Sequence, residues 1–244
     1  MEEFTPNRYA VIHEKNPREI VMLRGRGCSW RRCRFCDYHL DSSPDEGANF
    51  ALNKEQLLKV TGIYRKLEVI NSGSFVDLDE ATLSQIAEVC QKHNICQVHF
   101  ECHWRHRNAI ADFRRRFADL GITLKLKTGV ETFDALFRES YLGKGIDTDS
   151  PKEIAGYFDE VCLLLGLPGQ TAESMERDIQ TGLAHFERIC VNIMQENLRP
   201  IKPDPRVIAI FSRELYPKYI KDSRVDILME NTAFGVGGVV EHAK

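Results

Sequence analysis

The sequence predicts an α/β protein built as a partial (β/α)6 barrel with parallel strands. Three observations carry this expectation. Strand-like and helix-like segments alternate six times, and right-handed crossovers lay successive parallel strands side by side. Six units fall short of the eight that close a full barrel, so the sheet should stay open. The 244 residues, 43% hydrophobic and 28% charged, suit one domain with a sizeable core, since α/β barrels reach about 250 residues as one unit. The whole chain, 1–244, is read as that domain, with its core over about 18–198 and an extension over about 199–244.

The first strand reads Ile20–Leu23 and ends in a Gly-flanked, cysteine-bearing loop. A polar loop, Asp41–Phe50, follows, and Asn53 with Gln56 three residues on reads as a capping box for a helix over about 54–66. The second strand, Leu67–Ile70, is broken by Asn71-Ser72-Gly73-Ser74 and leads to a helix from about Glu80 to His93. The third, Cys96–Glu101, precedes a helix around Asn108–Leu120 that stops at Gly121, and the fourth, Leu124–Thr128, precedes one across Phe133–Glu139. The fifth strand, Val161–Leu165, turns at Gly166-Leu167-Pro168-Gly169 into a helix from Thr171 to about Phe186. The sixth is Ile189–Met194; a proline-rich loop, a last helix, a short strand Val225–Leu228 and a Gly-rich tail complete the chain.

Composition excludes several classes of function. No apolar run approaches the roughly 18 residues of a membrane span, and Met1-Glu2-Glu3-Phe4 does not resemble a secretory signal. A cytoplasmic protein without a membrane partner is expected. With 33 Lys+Arg against 36 Asp+Glu, a net charge of -3, a large nucleic-acid surface is not expected. Arg24, Arg26, Arg31, Arg32 and Arg34 nevertheless crowd one segment. They read either as solubilising charge or as a cationic rim for an anionic cofactor or cluster.

In folds of this class function sits at the carboxyl ends of the strands. Those ends carry the cysteine loop, Asn71–Ser74, Glu101–Arg105, Gly129–Glu131, Gly166–Gly169 and Asn192–Asn197. Alternation along the third and fourth strands sends Gln97, His99, Glu101, Lys125 and Lys127 into the barrel. Charges there need partners or a use, so the set is either a structural network or a polar ligand pocket.

Three of the eight cysteines, Cys28, Cys33 and Cys36, lie within nine residues. Cys90, Cys162 and Cys190 are expected to be small buried apolar residues. The bunched trio points to a metal site. Structural zinc needs a fourth ligand, which His39 or Asp37 offers. An iron–sulfur cluster held by three thiolates leaves one iron open for an exogenous ligand.

On these residues the chain resembles the radical S-adenosylmethionine (SAM) superfamily, whose members place a three-cysteine loop after the first strand of a partial barrel. Cys33-Arg34-Phe35-Cys36 matches half of that loop; four residues rather than the usual three separate Cys28 from Cys33. Asn71–Ser74 lies where the family holds the SAM amino group, though without its acidic residue, and Glu101 lies where members contact SAM. The segments Gly129–Asp134 with Arg138-Glu139 and Leu142–Ile146, and the turn Gly166–Thr171, resemble further family signatures. The resemblance implies a 4Fe-4S cluster on Cys28, Cys33 and Cys36, and SAM held by Phe35, Tyr38, Ser72, Gly73, Ser74, Glu101, Glu131 and Leu167. It also implies an electron donor such as a flavodoxin or ferredoxin, and a 5′-deoxyadenosyl radical that abstracts hydrogen from a substrate.

In its size, its one-residue-longer cysteine spacing and its flanking segments the chain most resembles the queuine lyases of queuosine salvage. That branch implies release of 7-aminomethyl-7-deazaguanine from queuine. Candidate substrate contacts are His99, His103, Lys127, Asn192, Glu196, Asn197, Glu230 and Asn231. Another small-molecule or peptide radical SAM enzyme, and a zinc-stabilised binding protein, are the alternatives.

Overall fold

The computed structural model describes residues 7–230. Asn231 and the Gly-rich tail therefore lie outside the described residues. Eight strands form one sheet in sequence order: β1 (Tyr9–Ile12), β2 (Arg18–Leu23), β3 (Lys66–Asn71), β4 (Gln97–Glu101), β5 (Thr123–Glu131), β6 (Glu160–Leu165), β7 (Arg188–Ile193) and β8 (Val225–Leu228). From β2 to β8 every neighbouring pair is parallel. The expected six βα units are present. The short strand Val225–Leu228 adds a seventh parallel strand, and an unexpected β1 runs antiparallel on the other edge.

The sheet curls strongly. In a flat sheet six strand spacings would hold β2 and β8 roughly 29 Å apart. Instead Arg18 Nη2 on β2 lies 3.7 Å from Asp226 Oδ2 on β8. The curl is what creates a lumen, and alternation decides what fills it. Val21, Leu23, Val98, Phe100, Leu124, Leu126, Val161, Leu163 and Leu165 face outward into one apolar core beneath the helices. Their neighbours in sequence face inward.

The helices are α1 (Glu46–Leu57), α2 (Glu80–Lys92), α3 (Ile110–Ala118), α4 (Pro151–Ala155), α5 (Ala172–His185), α6 (Pro205–Ile210) and α7 (Tyr216–Tyr219). The first corrects the expected helix over 54–66. Asp45 is its N-cap, accepting from Ala48 N at 2.9 Å. Asn53 is interior to it: its amide bonds both Arg24 N, at 2.7 Å, and Arg24 O, at 2.8 Å. The buried face of α1 carries Asn49, Asn53 and Gln56, so its start has no apolar periodicity to read. The helix expected over 133–139 runs into a π-turn, Phe137–Leu142, which extends three residues past the expected end. Among the described residues no helix is long and apolar enough to cross a membrane.

Candidate active site

The loop after β2 carries Cys28, Cys33 and Cys36, and its path is fixed by bonds to other strand ends. Cys28 N donates to Ser72 O at 3.0 Å and Arg34 N to Leu142 O at 2.9 Å. Trp30 Nε1 donates to Gly143 O at 2.8 Å, and Asn197 Nδ2 to Phe35 O at 2.7 Å. Two glycines are required by close approach. A Cβ on Gly73 would stand 2.4 Å from Asp77 Oδ2 and 3.0 Å from Cys28 N, and one on Gly145 would stand 2.2 Å from the Trp30 ring. Burial raises the Cys33 thiol and pushes Cys36 up to about 12. The nearby Lys144 charge acts against this on both thiols.

A cavity of about 380 Å³ opens at the carboxyl ends of the strands, with Cys28, Cys33 and Cys36 on its wall. Glu131, also on the wall, sits at a β-bulge after Gly129 with φ of 70°. That left-handed conformation is strained for a non-glycine residue. It lets Glu131 Oε1 accept from Lys144 Nζ at 2.7 Å. Burial opposes the Lys144 charge, but Glu131 and Cys33 outweigh it and raise its pKa. The sequence did not single out Lys144, because it arrives from a loop. Arg138 bonds Glu139 at 2.8 Å, and Glu139 in turn accepts from Gly145 N at 2.6 Å, which sets the loop's course.

Below the cavity the lumen is ionic. Glu68 accepts from Arg18 Nε at 2.5 Å and from Lys127 Nζ. Burial disfavours the Glu68 charge, yet Lys127 and Arg18 hold the carboxyl well below the usual range. His99 Nδ1 lies 3.3 Å from Glu160 Oε1, and its Nε2 is 2.8 Å from Gln97 Nε2. His99 is thus a member of this floor and does not border the cavity. Lys127 does border it, with its ammonium given to Glu68. Lys125 reaches outward at the strand start to Asp159, at 3.5 Å, and Glu187, at 2.6 Å.

Glu101 differs from the floor. It borders the cavity, and its carboxyl makes no hydrogen bond or ion pair among the described residues. Burial, only partly offset by Lys127, raises its pKa to about 7. Asn71 Oδ1, on the same wall, is a buried acceptor without a donor. The sequence marks Ser72, Gly73 and Ser74 as contacts and nothing in it distinguishes Asn71 from the strand it ends.

The other expected site residues divide. Phe35, Tyr38, Ser72, Gly73, His103, Asn192, Glu196 and Asn197 border the cavity. His103 is also committed to the framework: Nε2 lies 2.9 Å from Lys144 O, and Nδ1 accepts from Arg105 N at 3.2 Å. Burial and then the Lys144 charge lower its pKa to about 3. Ser74 is buried behind the wall, its hydroxyl accepting from His103 N at 2.9 Å. Leu167 belongs to a small apolar cluster with Leu142, Leu164, Met194 and Ile201. Glu230 follows β8 and is exposed. Ser74, Leu167, His99 and Glu230 therefore have no side chain on the cavity wall. Cys90 lies in the apolar core as expected, whereas Cys162 borders the cavity and Cys190 is its register partner across β6 and β7.

Among solved structures, a queuine lyase from Clostridium spiroforme bound to SAM and queuine matches with a TM-score of 0.90 and 38% identity, covering 96% of this chain and 100% of that one. The Bacillus cereus spore cortex-lytic enzyme SleL matches at a TM-score of 0.33 and 12% identity, covering 82% of this chain and 51% of that one. At that level it carries no argument. No family model matches the chain, and no curated protein does.

Proposed function

The chain belongs to the queuine lyase family, and from that premise we propose that it is a radical SAM lyase, holding a 4Fe-4S cluster and SAM and cutting queuine to 7-aminomethyl-7-deazaguanine. The observation that carries this reading is the placement of three free thiols on one cavity wall at the carboxyl ends of a curled parallel sheet.

The donor set fits a polynuclear cluster. Three free thiols line one wall with open space beside them, whereas His39, the expected fourth ligand of a zinc site, does not line that cavity. Cys28, Cys33 and Cys36 would hold the cluster, with the buried Lys144 ammonium offsetting thiolate charge. When bound, the cluster supplies the electron that splits SAM to methionine and the 5′-deoxyadenosyl radical that takes hydrogen from queuine. A flavodoxin or ferredoxin supplies that electron in turn.

The chain's own groups bind and orient. Asn71 Oδ1 offers the SAM ammonium an acceptor where the sequence lacks an acid. The Ser72–Gly73 backbone approaches the cysteine loop so closely that no side chain could stand between them. Glu101, its carboxyl raised by burial and without a hydrogen-bond partner among the described residues, is placed to bond queuine's hydroxyls or secondary amine. Asn192 and Glu196 line the wall where the deazaguanine edge would lie, Glu196 with one oxygen on Lys202 at 2.7 Å, while the amide nitrogen of the adjacent Gln195 is held by Ile193 O and Met229 O.

Anaerobic reconstitution with iron and sulfide, followed by reduction and mass spectrometry, tests the proposal. Queuine-dependent 5′-deoxyadenosine together with 7-aminomethyl-7-deazaguanine is expected. Deoxyadenosine formed without regard to queuine would retain radical chemistry and reject the lyase. Zinc uptake without SAM cleavage would reject both.

A further inference from the structure

The arginines of this chain fall into two groups. Most are matched to a carboxylate: Arg8 with Asp41, Arg107 with Asp147, Arg114 with Asp159, Arg116 with Glu80 and Arg188 with Asp226 are examples. Arg31, Arg32, Arg34, Arg105 and Arg199 make no ion pair among the described residues, and all five surround the cysteine loop. Of the others without one, Arg24 opens the same loop but is turned to Asn49 and Ala48 on α1, while Arg65 and Arg177 lie elsewhere.

Local geometry holds this rim in place. Arg31 Nε donates to Cys28 O at 2.9 Å, Arg105 Nη1 to Ser29 O at 3.0 Å and Arg199 Nη2 to Cys33 O at 3.1 Å. Arg32 and Arg105 flank the Trp30 ring at 5.0 and 5.9 Å, and Arg34 lies 6.0 Å from the Tyr141 ring. Arg31, Arg32, Arg34 and Arg105 are exposed. Leu40 and Leu198, beside the same loop, are 65% and 84% exposed. Unmatched charge around exposed apolar side chains has the composition of a transient protein interface.

Resting on the proposed radical SAM reading, we propose that this outer face of the cysteine loop is the docking surface for a small acidic protein that carries one electron. The reaction needs one electron per SAM cleaved, and the thiols lie directly behind the arginines. In the transfer the carrier is oxidised by one electron and the cluster reduced by one, with no bond or proton changing hands. Positive charge concentrated on one small face of a chain with net charge -3 fits a compact acidic partner better than a nucleic-acid strand, which needs an extended basic track.

The test uses the reconstituted holoenzyme and its Arg32→Ser/Arg34→Ser variant, neither side chain of which hydrogen-bonds the loop. Deoxyadenosine formation is driven in parallel by reduced flavodoxin and by reduced methyl viologen, a small cationic reductant. Flavodoxin binding is measured separately by fluorescence anisotropy at several salt concentrations. The variant should lose about 5–10-fold in flavodoxin-driven rate and in affinity, with a shallower salt dependence. Its viologen-driven rate should be unchanged, and Arg32→Lys/Arg34→Lys should recover most of the loss. Unchanged flavodoxin affinity, or an equal loss with both reductants, would overturn the proposal. Tighter binding of a mixed-sequence RNA at the same arginines would reassign the face to nucleic acid. Absence of deoxyadenosine with either reductant would reject the radical reading, while the binding measurement would still decide the docking surface.

Discussion

Glu68 and Glu101 are carboxyl groups of one lumen, on adjacent strands, yet the structure treats them oppositely. Glu68 lies between Arg18 and Lys127, which hold it ionised against the cost of burial. Glu101 has no such partner and is pushed up to about 7. The first closes a floor whose ions satisfy one another; the second belongs to a mouth left open for something else. Polar residues inside a barrel therefore do not by themselves mark a pocket. What marks it is a polar group whose hydrogen-bonding capacity the protein leaves unused.

The sharpest way to separate mouth from floor is Cys28→Ala. The variant should fold with an almost unchanged melting temperature, lose most of its iron after reconstitution, and form no detectable 5′-deoxyadenosine. Full iron retention with SAM cleavage would show that the mouth's thiols do not act together.

Glu68→Gln addresses the floor. It leaves Lys127 and Arg18 buried around a neutral amide, and removing one partner of a buried ion pair costs roughly 3–5 kcal/mol. Because the folded pKa of Glu68 is depressed, its contribution is fully present above the unfolded value of about 4.5 and is lost as pH falls below it. Urea unfolding should show a large deficit for the variant at pH 7 that narrows in acid. A deficit independent of pH would mean that shape, not charge, holds the floor.

This division was only partly legible in the sequence. Alternation placed His99, Glu101 and Lys127 inside the barrel, because the opposite faces of the same strands are apolar. It could not pair them: that Lys127 meets Glu68, two strands away, depends on curl. The outer face was readable wherever Val, Leu and Phe alternate. It failed at α1, which buries amides that bond Arg24, and at β1, a four-residue edge strand anchored when the Tyr9 hydroxyl donates to Glu19 at 2.7 Å. The cysteines were visible from spacing alone. Lys144 was not, since its position beside them depends on the Arg138–Glu139 pair and the turn that pair supports.

Glu101→Gln gives the smallest expected change and the finest comparison. A carboxyl whose folded pKa is raised binds its proton more tightly in the native state, so stability falls as pH rises from the unfolded value of about 4.5 to about 7. Across that window the loss amounts to at most about 3 kcal/mol. The amide cannot ionise, so the variant's stability should stay flatter there and exceed that of the parent at pH 8. Glu68 is common to variant and parent, so the slope it adds at the acid end of that window cancels, and the difference between the two isolates the mouth. Parallel stability curves from pH 4 to 8 would show that Glu101 already has a partner, and that the open end of the lumen is as satisfied as its floor.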